Sequence, residues 1–179
     1  MDNEEQRKVN LLSKQLGVTL ITNGEMFLKQ GFKVEPKIIK TKNELAAWLS
    51  ENVFKGQSLW DEKFYVESLD FYLSLIEIWW GDKKQYITDR YDCDNYARHF
   101  QSALSLYFGL NSAGTASGSV YDENGKFLAR HAFNIILVSD NGVLKPYLFE
   151  GMRNIMTQWN GPKTKLGPWL YEIDWIDFN

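Results

Sequence analysis

Apolar positions recur with helical spacing through the first half of the 179-residue chain and with strand spacing toward its end. Residues 4 to 16 interleave charges with Val9, Leu11, Leu12 and Leu16, which predicts a helix stopped at Gly17. Val18 to Ile21 reads as a short strand and Asn23-Gly24 as a turn. Glu25 to Gln30 reads as a helical turn, and Gly31 to Ile39 as extended chain with Pro36 at an edge or connection. Thr41 and Glu44 fit a capping box for a helix over Lys42 to Val53, with Leu45, Trp48 and Leu49 facing inward. Between Trp60 and Trp80, the positions Phe64, Leu69, Tyr72, Leu73, Ile76 and Trp80 keep helical spacing and predict one long helix. A further helix is expected to open at Cys93, capped by Asp92, and to run through Phe100, Ala103 and Leu104 to about Gly109.

Beyond that helix the period changes. The small residues of Gly109 to Gly118 predict a loop or a strand packed close to the helix. Ser119 to Tyr121 starts a hairpin that turns at Asp122-Glu123-Asn124-Gly125 and returns through Lys126 to Val138. Ser139-Asp140-Asn141-Gly142 is a second hairpin signal, leading into a strand from Val143 to Glu150. Asn154 to Trp159 is expected to be helical and Gly161 to Gly167 a loop. Trp169 to Phe178 alternates as a last strand.

The chemistry concentrates at the start of the Cys93 helix. Cys93 is the only cysteine, so it has no internal disulfide partner and is either an inert core group or a reactive one. In a first helical turn, free amide donors and the helix dipole favour the thiolate. Two histidines could serve as its base. His99, six residues along the same helix, points away from the thiol and reads as a packing or surface residue. His131 lies on the strand before the second hairpin. A turn on Asp140-Asn141 pairs positions summing to about 281 and sets His131 opposite Glu150. A turn on Asn141-Gly142 gives about 283 and makes them diagonal neighbours. Either register puts both side chains on one face, so Cys93, His131 and Glu150 form a candidate catalytic set of nucleophile, base and orienter.

Asp92-Cys93-Asp94-Asn95-Tyr96-Ala97 at a helix start, with His131 and Glu150 on consecutive strands, resembles the papain-like and transglutaminase-like cysteine peptidases. The nearest subgroups are the bacterial transglutaminase-like cysteine proteases and the agglutinin-associated calcium-dependent cysteine protease domain. The matching residues span about sixty positions, and the first ninety show no match. The resemblance implies an α+β fold, with N-terminal helices and a nucleophile helix packed on an antiparallel sheet. It also implies a cysteine hydrolase, a probable protease acting on a protein or peptide, with amidase or transglutaminase chemistry using the same triad. In those relatives the acids flanking the cysteine help bind calcium, which projects onto Asp92 and Asp94 as metal ligands. A cation there would relieve the repulsion that two carboxylates impose on a neighbouring thiolate. The bacterial group usually carries glutamate after the cysteine and aspartate as third member, where this chain has Asp94 and Glu150. Upstream, Trp80, Gln85 and Tyr86 are candidates for an oxyanion-binding side chain.

Length fits a single domain over residues 1–179. With 20 basic and 23 acidic residues, a formal charge of −3 and no basic stripe, nucleic acid is not an expected partner. No apolar run reaches membrane-spanning length and no secretory signal is visible, so a cytoplasmic location is the default, with a phage or exported product as the other options. Aromatic residues make up 15%, with seven tryptophans, enough for an aromatic core, a ligand groove or both. That abundance supports the alternative to the hydrolase: a catalytically inactive module of the same fold that recognises peptide or glycan through an aromatic groove.

Overall fold

The computed structural model of the chain describes residues 34–52, 56–79 and 86–178, and Glu35–Asn179 forms one compact unit. The expected helix over residues 4 to 16 and the elements expected between residues 18 and 30 lie outside the described residues, with the first part of the expected 1–179 domain. In chain order the elements are β1 (Ile38–Thr41), α1 (Lys42–Asn52), β2 (Gln57–Leu59), β3 (Lys63–Val66), α2 (Leu69–Ile78) and α3 (Cys93–Phe108). They continue as β4 (Ala113–Tyr121), β5 (Phe127–Asp140), β6 (Val143–Glu150), β7 (Ile155–Gln158), β8 (Thr164–Leu166) and β9 (Trp169–Phe178).

One sheet organises them. Its strand order is β2-β9-β4-β5-β6-β7, with β8 also on β9; β1 and β3 form a separate antiparallel pair. All pairings in the large sheet are antiparallel except β2 with β9. The last strand thus inserts between the short β2 and the long β4. Phe133, Ile135 and Leu137 of β5 join Leu148, Tyr171, Ile176 and Phe178 in a core that Leu45 and Leu49 of α1 and Phe64 and Val66 of β3 close. The alternate β5 positions belong to the helix side: Asn134 Nδ2 donates to the carbonyls of Ala97 at 2.8 Å and Gly114 at 3.3 Å, fastening α3 to β4 and β5. Because both faces of β5 are covered, its residues from Ala132 to Ser139 are buried without a break.

Asn134 gives the first test of this packing. Its side chain is fully buried, so Asn134→Leu strands two carbonyls without their shared donor. The expected loss is about 1 to 3 kcal/mol, read as a lower urea midpoint at unchanged m.

Several local expectations are replaced. The single helix over Trp60 to Trp80 is a strand followed by a helix. Phe64 and Val66 alternate inward along β3, and Ser68 then caps α2 by accepting from the Phe71 amide at 3.3 Å. Helical spacing of Phe64 with the later stripe was coincidental, because two-residue alternation serves a four-residue strand equally well. Asn154 to Trp159 holds strand β7 in place of a helix, and the loop over Gly161 to Gly167 contains β8. Here the free hydrogen-bonding edges of β6 and β9 override local propensity.

The expected papain-like or transglutaminase-like α+β architecture is also corrected. Among the described residues nine strands stand against three helices, and of the strands before Cys93 β3 lies where a helix was expected. No helix of the described residues is long and apolar enough to cross a membrane.

Candidate functional site

Helix α3 begins where the sequence places it, with Asp92 in extended backbone as N-cap and Asn95 Oδ1 accepting from the Asp92 amide at 3.2 Å. Gly109, at φ 62°, ends the helix in the left-handed conformation that glycine adopts without strain. This fixes Cys93 at the first turn, half-buried, beside the middle of β5.

On the strands, β5 and β6 pair Asn134 with Phe149 and Asp140 with Val143, the register of a turn on Asn141-Gly142. His131 and Glu150 are therefore diagonal, and their side chains meet: His131 Nε2 lies 2.6 Å from Glu150 Oε2. Glu150 is 2% exposed, and its carboxylate also accepts from the Tyr171 hydroxyl at 3.3 Å and the Met152 amide at 3.2 Å. These partners satisfy a buried acid and hold the imidazole in one orientation. With Nε2 committed to Glu150, the other ring nitrogen serves the sulfur, and a hydrogen bond from His131 holds the Cys93 thiol below its usual range. Partial burial and the charge on Asp92 oppose that shift, while a hydrogen bond from the Ala132 backbone assists it. For His131, burial pulls toward the neutral ring. Hydrogen bonds to Cys93 and Glu150, with both negative charges, outweigh it and push the imidazole up to about 9. The two shifts act in the same direction, favouring a thiolate–imidazolium pair with Glu150 aligning the ring.

The structure thus brings Cys93, His131 and Glu150 together. His99 lies elsewhere: its Nδ1 is 2.6 Å from the Tyr91 hydroxyl, and its ring packs edge-on to Trp79.

The two carboxylates flanking the thiol, Asp92 and Asp94, act on each other. Contact between the two carboxyl groups lowers the pKa of Asp92, and the same contact, with partial burial and the charge of Asp92, raises that of Asp94. Asp92 Oδ2 additionally accepts from the Asp89 amide at 3.2 Å. Calcium takes six to eight oxygen ligands. Among the described residues no group of three or more His, Cys, Asp or Glu side chains is placed to hold a metal ion. Asp122 uses its carboxylate on the Asn124 and Lys126 amides of its own turn.

Around the thiol lies a cavity of about 410 Å³, within the size range of small-ligand sites. Tyr86, Leu128, Met152, Arg153 and Trp169 line it with the three polar residues. The Arg153 guanidinium stacks on the Trp169 indole, 3.6 Å from the ring centroid. Neither residue was a sequence candidate. The alternation of β9 marked Trp169 as a strand residue, but nothing local indicated that the turn after β6 would lay Arg153 upon it. Of the oxyanion candidates Tyr86 reaches this cavity, and Trp80 and Gln85 lie outside the described residues.

Together these features define a β-rich domain with a helix laid on a long antiparallel sheet and a charged, aromatic-rimmed pocket where the helix starts. No protein-family model matches the sequence, and no curated protein is significantly similar to it. Solved structures do share the fold. One is PSL1a in complex with E64, with a TM-score of 0.52 and 20% identity over 78% of this chain and 50% of that one. Another is the Polyporus squamosus lectin bound to the human-type influenza-binding epitope Neu5Acα2-6Galβ1-4GlcNAc, with a TM-score of 0.50 and 18% identity over 78% of this chain and 49% of that one. The chain spans about half the length of these structures, and likeness at this level concerns the fold. The shared fold is that of a chain described as a lectin, a binding protein. On that finding the expectation of a cysteine hydrolase, a probable protease cleaving a protein or peptide, is corrected.

Proposed function

We propose that this chain is a glycan-binding module whose pocket lies over Cys93, His131 and Glu150. The observation that carries the reading is the Arg153–Trp169 stack at the rim of that pocket. A guanidinium held flat on an indole is a preorganised donor array beside an apolar surface, suited to a sugar's carboxylate or hydroxyls next to its C–H face. Arg153 and the imidazolium of His131 are the cations of the pocket, with Arg130 at its edge already paired to Asp174, and Arg153 at the rim favours a saccharide bearing an acidic group. The saccharide in the related lectin structure, Neu5Acα2-6Galβ1-4GlcNAc, carries such a group and is the natural first probe. Cys93, His131 and Glu150 form the polar floor that a ligand in this pocket would meet.

Calorimetric titration with that trisaccharide tests the reading. Binding to the parent is expected, weakened about tenfold or more by Arg153→Ala or Trp169→Ala, the loss of roughly 1.4 kcal/mol that a charge-assisted or stacking contact supplies. No binding by the parent would overturn the proposal. So would turnover of a peptide substrate that disappears in Cys93→Ala.

A further inference from the structure

A second cavity, about 880 Å³, runs along α3 from Asp94 to Leu106 and does not include Cys93, His131 or Glu150 in its lining. Its floor is two rungs of the β4–β9 pairing: Thr115 opposite Asp177, and Ser117 opposite Trp175. Its wall is α3, from which Gln101 reaches across. The Gln101 side-chain amide donates to the Asp177 carbonyl at 3.2 Å and its oxygen accepts from the Thr115 hydroxyl at 2.7 Å. This buried amide fixes the floor in place.

The aromatic component is equally fixed. Trp175 is 47% exposed, yet its six-membered ring rests on Gly56 so closely that a Cβ there would stand 2.6 Å from Cε3. Outside the groove's lining, exposed Trp60 donates its indole N–H to Asp177 Oδ1 at 3.2 Å. Two tryptophans are thus held rigid while much of their surface stays in water, an unfavourable arrangement for a side chain that only packs. A braced indole, Trp175, beside a row of hydroxyl, amide and carboxylate groups matches a pyranose, whose C–H face covers an indole while its hydroxyls hydrogen-bond at the edge. The charges in the cavity are Asp94, Asp177 and Arg98, and Arg98 is already 3.8 Å from Asp94. This balance disfavours an acidic ligand.

We infer that the groove between α3 and the β4–β9 rungs is a second carbohydrate subsite, selective for neutral oligosaccharide and built on Trp175. The inference rests on the glycan reading above for its ligand class and lies at a different place on the molecule. The probes are chitotriose, maltotriose and N-acetyllactosamine, followed by saturation-transfer NMR and calorimetry on the full chain. At least one is expected to bind. Trp175→Ala should weaken it about tenfold or more, the equivalent of one lost stacking contact. Ser117→Arg, which fills the groove and leaves the indole in place, should do the same, and Trp169→Ala should leave it unchanged. If none of the three binds at millimolar concentration, or if binding survives both Trp175→Ala and Ser117→Arg, the second subsite is refuted. Loss of the sialylated trisaccharide alone would instead sink the pocket at Cys93 and leave this one standing.

Discussion

Alkylation of Cys93 by iodoacetamide at pH 6 is expected to run at least about tenfold faster in the parent than in His131→Ala, because an ordinary thiol is well under one per cent ionised there. In the parent the hydrogen bond from His131 keeps the thiol ionised below its usual range, and the imidazolium persists until about pH 9. A low-pKa thiolate is intrinsically somewhat less nucleophilic, which moderates the gain without cancelling it. Glu150→Gln should fall between the two, since it keeps the bulk of a fully packed side chain but removes the charge that helps hold the imidazole protonated. The sign of the pH dependence follows. His131 has a raised folded pKa, so its contribution to stability is fully present below its ordinary value of 6.5 and is lost as pH rises through about 9. The difference in melting temperature between parent and His131→Ala should shrink across that window. Equal alkylation rates in parent and His131→Ala at pH 6 would show that the ion pair does not form.

The second large effect is steric. Gly118→Ala should cost about 3 kcal/mol or more, the upper end for overpacking, because the added Cβ would stand 1.8 Å from the Glu172 carbonyl oxygen. Backbone cannot rotate away as a side chain can, so β4 and β9 must separate at the register shift between Ser117 and Gly118. For a domain of this size that lowers the melting temperature by roughly 6 to 12 °C. Gly125→Ala is the control. Gly125 sits at φ 81° with open space around it, so only local strain of about 1 kcal/mol is expected. Gly118 also pairs with His131, so Gly118→Ala should slow Cys93 alkylation as well as destabilise the sheet, and Gly125→Ala should not. A parent-like melting curve for Gly118→Ala would mean the strands yield more easily than their pairing implies.

The sequence by itself determined those features that depend on neighbours a few positions apart. Asp92 specifies the start of α3 and Gly109 its end, and the Asp140-Asn141-Gly142 signal specifies a turn that puts His131 and Glu150 on one face, the diagonal register being the structure's choice. Thr41 and Glu44 likewise announce α1, with Glu44 Oε2 accepting from the Thr41 amide at 2.8 Å. Each is short-range chemistry of capping, turn geometry or alternation, and is written in adjacent letters. What only the tertiary structure decided involves partners far apart in the chain. Strand β9 could have paired with several edges; its insertion between β2 and β4 brings the Tyr171 hydroxyl to Glu150, seats Trp175 on Gly56, and makes Gly118 a point of backbone contact. The turn after β6 lays Arg153 on Trp169. The β3, β7 and β8 segments became strands because a sheet edge supplied hydrogen-bond partners that no local pattern reveals. The contact between Asp92 and Asp94 also came from geometry, since sequence shows two acids beside a thiol but not that their pKa values are pushed in opposite directions. Local propensities are worth tenths of a kcal/mol per residue, whereas burial and sheet pairing act over many residues at once and settle the outcome wherever the two disagree.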